Sequence, residues 1–301
     1  MEISRPGGPD VLRAGQRSLP GLLRDEVRIQ VHASGVNRAD LLQRRGSYPP
    51  PSGDPQDVPG LEFAGIVVEA GAACRVRQAG DRVMGILGSG GYAESLVVTE
   101  AATIRVPHSL SLTDAGAIPE VFITAWDALF RQAHLQPGET VLIHAVGSGV
   151  GTAALQLSRA AGARTVGTSR TPEKVERALA LGLDHGIVVR PGDDWVSEAR
   201  HASGGAGVDV LFDLVGGSYA EGNLAVLGEE GRWVVVGIPG GQRGVLDLWT
   251  LMTKRLTLRG TVLRGRSPGE KATLARAFER TVVPLFERGV LRPVVDMVLP
   301  A

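Results

Sequence analysis

Residues 139–168 read ETVLIHAVGSGVGTAALQLSRAAGARTVGT. Val141, Leu142 and Ile143 form a short apolar run, Gly147, Gly149 and Gly151 a turn, and the Ala/Leu-rich segment after Gly151 has helical composition. The stretch therefore reads as strand, tight turn, helix and a second strand from Thr165, the opening half of a dinucleotide-binding unit. Glycine is required in such a turn because the chain bends sharply and its amides must approach a pyrophosphate with no Cβ between, which leaves the anion at the positive helix N-terminus. The fingerprint is imperfect: read as G-x-G-x-x-G ending at Gly151, its first glycine is Val146 and its second Ser148. An ordinary tight turn is the competing reading, and the rest of the chain decides between them.

Around this stretch, from Ile118 to about residue 261, β and α patterns alternate. Strands are expected at 141–145, 165–168, 187–189, 208–213, 233–237 and 256–260, and helices at about 151–161, 172–181, 194–201 and 219–227. Several strands are short and β-branched without strict alternation, which predicts a doubly wound parallel sheet covered on both faces, with its ligand crevice at the carboxyl ends of the strands. Upstream, residues 1–115 are broken by Gly and Pro and alternate with period two, as in Val27-Arg28-Ile29-Gln30-Val31-His32. Further strands are expected at 64–69, 82–86 and 95–98, which makes this part β-rich. Residues 35–42 read as a short helix, followed by a loop stiffened by Pro49, Pro50 and Pro51, where site residues tend to be carried. Downstream, apolar residues spaced by three and four predict an amphipathic helix over 271–288, kinked or restarted at Pro284, and then a strand at 294–299.

At 301 residues the chain exceeds the usual single core, so two domains are expected. Lys+Arg and Asp+Glu both total 32, and the absent basic excess argues against nucleic-acid or anionic-membrane binding. No apolar run spans a bilayer and MEISRPGGPD lacks the apolar core of a signal peptide, so a cytoplasmic location is the default. Cys74 is the only cysteine and the six histidines are scattered, which argues against a disulfide framework and a metal cluster.

Five separated motifs stand out: Gly35-Val36-Asn37-Arg38-Ala39-Asp40-Leu41, Pro59-Gly60-Leu61-Glu62-Phe63-Ala64-Gly65, Ala79-Gly80-Asp81-Arg82-Val83, Gly90-Gly91-Tyr92-Ala93-Glu94 and the segment from His144 to Gly151. Together they resemble the zinc-independent quinone oxidoreductases, the zeta-crystallin-like branch of the medium-chain dehydrogenase/reductase superfamily. The later Asp213-Leu214-Val215-Gly216-Gly217-Ser218-Tyr219 run resembles the stress-inducible NADPH-dependent subgroup. The resemblance implies an α/β fold: a GroES-like β-rich catalytic domain over 1–117, completed by 265–301, and a Rossmann doubly wound parallel sheet over 118–264, with the active site in the cleft between them. It also implies hydride transfer from NADPH to a small-molecule quinone, and a homodimer. Zinc-dependent relatives carry Cys near Asn37 or Arg38 and Gly-His-Glu where this chain has Gly60-Leu61-Glu62, so no Lewis-acid zinc is expected. Family members also continue past Leu299 with a helix and a strand, so an exposed apolar seam is expected near the end of this chain.

By the same resemblance, Tyr48 and Asn37 are the catalytic candidates. Tyr48 would donate a hydrogen bond or proton to the acceptor, and Asn37 would orient the substrate or the nicotinamide ribose. The competing readings are packing of Tyr48 on Pro49 and Pro50, and an Asn37 helix cap. Asp40 and Glu62 read equally as an active-site pair or as capping and salt-bridged carboxylates. Thr124 matches a threonine near the nicotinamide, against a hydroxyl bonding its own helix. His144 reads as a satisfied core or cleft-lining histidine in preference to an acid–base group.

The cofactor-binding set is Thr124, Gly147, Ser148, Gly149, Val150, Gly151, Ser169, Arg170, Thr171, Lys174, Arg190, Gly237, Ile238 and Leu263. NAD-selective units place Asp or Glu about 20 residues after the glycine turn, to bind the ribose 2′-hydroxyl. Here the second strand ends Gly167-Thr168-Ser169-Arg170-Thr171, with Lys174 a helical turn later, which suits a 2′-phosphate and predicts NADPH. Family members often carry tyrosine near Val189, where Arg190 would compensate. Arg170 stands where glycine is common. Two alternatives stay open: an NADPH-dependent enoyl thioester reductase and a non-catalytic NADPH-binding protein.

Overall fold

A computed structural model describes residues 1–190 and 192–300. The chain divides into two compact units, Met1–Ile123 with Leu263–Ala301, and Thr124–Val262.

The first unit begins with a two-strand ribbon, β1 (Glu2–Ile3) and β2 (Leu12–Arg13). Then follow β3 (Glu26–Ala33), α1 (Arg38–Arg44), β4 (Glu62–Ala70), β5 (Arg82–Ile86), β6 (Ser95–Thr99), β7 (Thr103–Arg105) and α2 (Leu112–Ala115). The last five strands form one antiparallel sheet in the order β6-β3-β4-β5-β7. The period of two read in residues 27–32 has its physical counterpart: Val27 and Ile29 are buried with Phe63, Val67, Val83 and Leu96 on one face, while Arg28 and Gln30 turn away. The division between the units falls inside α3 (Pro119–Trp126), which runs on into a π-helical segment, Asp127–Gln132.

The second unit continues with β8 (Thr140–Ile143), α4 (Gly149–Ala160), β9 (Arg164–Ser169), α5 (Pro172–Ala180), β10 (His185–Val188), α6 (Trp195–Ala202), β11 (Val208–Asp213), α7 (Ala220–Val226), β12 (Leu227–Val235), α8 (Leu248–Thr253) and β13 (Thr257–Gly260). All six strands are parallel, in the order β10-β9-β8-β11-β12-β13. Counted within the unit this is 3-2-1-4-5-6, the Rossmann order, and it reverses between β8 and β11. Every residue of β8 is buried, as a central strand covered on both faces requires.

At the end of the chain the helix restarts at Pro284 as expected, and one expectation is corrected. Residues 271–288 form two helices, α9 (Pro268–Thr281) and α10 (Val283–Glu287), because Pro284 has no N–H to continue the ladder and instead occupies the first turn of α10. Residues 294–299 are not a strand: this apolar run lacks a neighbouring strand among the described residues, and Val294, Met297, Val298 and Leu299 stay 50–70% exposed. No helix among the described residues is long and apolar enough to cross a membrane.

Candidate functional site

In the second unit the glycine turn lies at the carboxyl end of β8, where the sheet order reverses. The chain leaves the strand through Ala145, whose φ of 49° puts a non-glycine residue in the left-handed region. Val146 is fully buried and its N–H donates to Thr168 O at 3.0 Å. A Cβ on Gly167 would stand 2.9 Å from the Val146 side chain, so valine fills a space that a glycine at 146 would leave open. Ser148 caps α4, its Oγ accepting from Gly151 N–H at 3.1 Å. The cap serves one orphan amide of the first turn, and Gly149 and Val150 present theirs without an intrahelical acceptor. Gly151 lets helix and turn close together: a Cβ would be 2.5 Å from Ala145 O.

Lys174, on α5, lays its stem against this turn, since a Cβ on Gly147 would meet Lys174 Cβ at 2.6 Å. Ser169 is buried at the end of β9 and its Oγ accepts from Thr171 N–H at 3.2 Å, while Arg170, Thr171 and Lys174 are exposed. Among the described residues no ion pair engages Arg170 or Lys174. Arg190 follows β10, exposed, with its N–H held by Asp193 at 2.9 Å. Gly237 and exposed Ile238 follow β12. The turn, 169–174, Arg190 and Gly237–Ile238 thus share the carboxyl edge of the parallel sheet. Leu263, buried, belongs to the first unit. Thr124 lies on α3 with its Oγ1 buried and without a hydrogen-bond partner. A nicotinamide dinucleotide fits this set: free first-turn amides for its phosphates, uncommitted cations, and an orphaned hydroxyl for a polar group of the ligand.

Beneath the sheet edge lies a buried chain of polar groups. Asp213 accepts from Val215 N–H (2.7 Å), Gly216 N–H (2.9 Å), Asn223 Nδ2 (3.1 Å) and Trp233 Nε1 (3.0 Å). Because the carboxylate takes Nδ2, Asn223 turns Oδ1 to His144 Nε2 at 2.8 Å, and Thr168 Oγ1 lies 2.8 Å from His144 Nδ1. Nε2 therefore carries the imidazole proton and Nδ1 accepts from Thr168. Burial holds the His144 pKa down. It is a satisfied core histidine, packed edge-on against Trp195 and Tyr219.

In the first unit Asn37 is the N-cap of α1, and its N–H donates to Asp40 at 2.7 Å. Asp40 also accepts from Gly60 N–H (3.0 Å) and Tyr92 Oη (3.1 Å). That buried carboxylate ties helix, loop and Tyr92 together, which leaves it no free edge for a reacting group. Glu62, on β4, accepts from Asn37 Nδ2 at 2.7 Å and from Glu120 N–H at 2.8 Å. Burial raises its pKa to about 7, against the pull of those two donors. Burial likewise pushes Glu120 to about 8, helped by Glu62 and Asp40 and opposed by Lys271 and Arg264.

Tyr48 is half-buried, and the Arg264 guanidinium lies over its ring, 4.8 Å from the centroid. Burial raises the phenol pKa although Arg264 pulls it down, so Tyr48 remains a donor at neutral pH. Arg264 donates to Gly88 O (2.7 Å), Tyr48 O (2.9 Å) and Gln43 Oε1. Sequence reasoning placed Arg264 as a cleft-lining position without assignable chemistry and missed Tyr92 and Glu120 as parts of this cluster; only their tertiary partners reveal them. Among the described residues no group of three or more His, Cys, Asp or Glu is placed to hold a metal.

The alcohol dehydrogenase GroES-like domain model matches residues 23–108 and the zinc-binding dehydrogenase model residues 149–280. Quinone oxidoreductase of Sus scrofa is 32% identical over 304 residues, covering all of this chain and 89% of its own length. Polyketide synthase GfsB of Streptomyces halstedii is 39% identical over 212 residues, 70% of this chain, and this chain spans only 4% of that protein. Among solved structures, quinone oxidoreductase of Escherichia coli complexed with NADPH superposes with a TM-score of 0.84 at 30% identity, over 98% of this chain and 90% of that one. CurK enoyl reductase does so with a TM-score of 0.82 at 28% identity, over 100% and 91%.

Proposed function

We propose that this chain, which belongs to the quinone oxidoreductase family of the medium-chain dehydrogenase/reductase superfamily, reduces a quinone with hydride from NADPH and without a metal. It is an oxidoreductase whose fold binds a nicotinamide cofactor. The observation that carries the finer reading is the donor set around Glu62. Its neighbours are Asn37, Asp40, buried Leu61 and Glu120, with neither thiolate nor imidazole. Such a set offers no Lewis acid for an alkoxide, whereas a hydroquinone anion is delocalised and needs less stabilisation. When bound, the nicotinamide supplies the hydride. In this reading Tyr48 donates a hydrogen bond or proton to the reduced oxygen, and Asn37 orients the acceptor or the ribose. Arg170 and Lys174, with Arg190, meet the 2′-phosphate. The first-turn amides of α4 hold the pyrophosphate.

A second reading, reduction of an enoyl thioester, draws on the likeness to CurK enoyl reductase. NADPH oxidation against 9,10-phenanthrenequinone, para-quinones and crotonyl-coenzyme A, with NADH alongside, separates them. Quinone turnover with NADPH is expected. Turnover of crotonyl-coenzyme A alone would establish the second reading, and tight NADPH binding with no turnover would make the chain a binding protein.

The reading extends to a cytoplasmic homodimer. β13 ends the sheet with all four residues exposed, and Val245, Leu248, Trp249, Met252 and Val262 around it are 59–69% exposed. An open, apolar sheet edge is a surface that a second copy would cover. Light scattering should give twice the chain mass, and Trp249→Glu with Leu258→Glu should give the monomer; a wild-type monomer at micromolar concentration overturns the dimer.

A further inference from the structure

The Ala79-Gly80-Asp81-Arg82-Val83 motif plays no part in either cluster of polar groups. Its last four residues form one wall of a cleft of about 150 Å³ in the first unit, and Arg77, Arg105, Val106 and His108 line the rest. Liquid water takes about 30 Å³ per molecule, so the space admits a tetrahedral oxyanion. Arg77 is buried, its side chain 4% exposed. Nε donates to Thr103 Oγ1 at 2.9 Å, and Nη2 donates to Thr103 O at 3.2 Å and to Glu279. Nη1 is buried as well and has no hydrogen-bond partner. A guanidinium nitrogen left so forfeits charge-assisted hydrogen bonds, which folded proteins normally complete with a protein group, water or an ion. Thr103 and Glu279 occupy the other edges of the group, so the cleft that Arg77 lines is the space by which an acceptor can enter.

The other cations of the cleft are little committed. Arg105 uses only its backbone N–H, which donates to Glu279 Oε2 at 2.8 Å, and among the described residues nothing engages its guanidinium. Arg82 gives one N–H to Leu110 O, and the His108 ring has no partner among the described residues. Two carboxylates oppose them: Asp81 in the wall, which accepts from Gln78 N–H at 3.0 Å, and Glu279, already shared by Arg77 and the Arg105 backbone. Three arginines against two carboxylates leave the cleft a positive excess. We propose that this cleft binds a phosphoryl group, with Arg77 Nη1 and the Arg82 and Arg105 guanidiniums as its donors. A phosphoryl group brings three terminal oxygens and close to two charges, which suits three forked donors; a carboxylate brings two oxygens and one charge. Free phosphate and a phosphomonoester share this chemistry. The site does not rest on the function proposed above, since all its residues belong to the first unit and none is in the cofactor-binding set.

The test titrates the deuterated, 15N-labelled full chain with inorganic phosphate at constant ionic strength and follows the backbone amides of residues 80–83, 105, 106 and 108. This local readout separates the cleft from the first-turn amides of α4, which phosphate should also reach. Saturable shifts with a Kd of about 1 mM or tighter are expected. Arg105→Ala should weaken binding about 10-fold or more, the loss of one charge-assisted hydrogen bond. Because the Arg105 side chain has no partner to lose among the described residues, this variant tests the site even if Arg77→Gln fails to fold. Methyl phosphate binding as tightly as phosphate would identify the group as that of a phosphomonoester, and phosphate binding alone would identify the free ion. Amides that do not shift, or that shift as strongly with acetate, overturn the proposal. So does wild-type affinity in Arg105→Ala.

Discussion

Alanine at both Arg170 and Lys174 is expected to raise the KM for NADPH by about 10²-fold or more, at roughly 1.5 to 3 kcal/mol for each charged hydrogen bond lost. The KM for NADH should move little, because no 2′-phosphate is present to miss them. The physical basis is local. The strand β9 ends in Ser169 and is followed by Arg170 and Thr171, with no carboxylate among them to accept from a 2′-hydroxyl. Both cations are exposed and committed to no ion pair among the described residues, and the Lys174 stem lies on the glycine turn itself. The check is the ratio of kcat/KM for the two cofactors. A ratio unchanged in the double variant would show that the two are solvated surface cations.

The second large effect is one of stability. Arg264→Ala should destabilise the first unit by about 3 to 5 kcal/mol, seen as a fall in Tm of roughly 6–20 °C. Arg264 is only 4% exposed and joins three distant stretches through Gly88 O, Tyr48 O and Gln43 Oε1. Truncation leaves these buried acceptors without a donor and uncovers the Tyr48 ring, so quinone turnover should fall in the protein that remains folded. Arg264→Lys restores the charge but not the planar fork, and should recover only part of the loss. A Tm within about 2 °C of wild type for the alanine variant would mean that water replaces the guanidinium without cost.

Sequence period alone decided the class of each half. Alternation in residues 27–32 requires one buried face, and short unalternating runs at 141–143 and 208–213 require two, so an antiparallel and a parallel sheet follow. The glycine turn was legible because backbone approach to a phosphate tolerates few residue types. Its two departures acquired their reasons only in three dimensions: Val146 fills the space over Gly167, and Ser148 caps α4. The strand expected at 294–299 shows the limit of local composition, since an apolar, β-branched run is a strand only when another strand stands beside it. In sequence Asp40 and Glu62 read equally as an active-site pair or as capping and salt-bridged carboxylates. Folded, Asp40 is consumed by three donors while Glu62 holds Asn37. Arg264 meets Tyr48 across 216 residues of chain, and His144 meets Asn223 across 79. Periodicity and turn chemistry are properties of neighbours in the chain and can be read there; the partner of a buried polar group is set by which distant segments the closed core brings within 3 Å, and that only the tertiary structure decides.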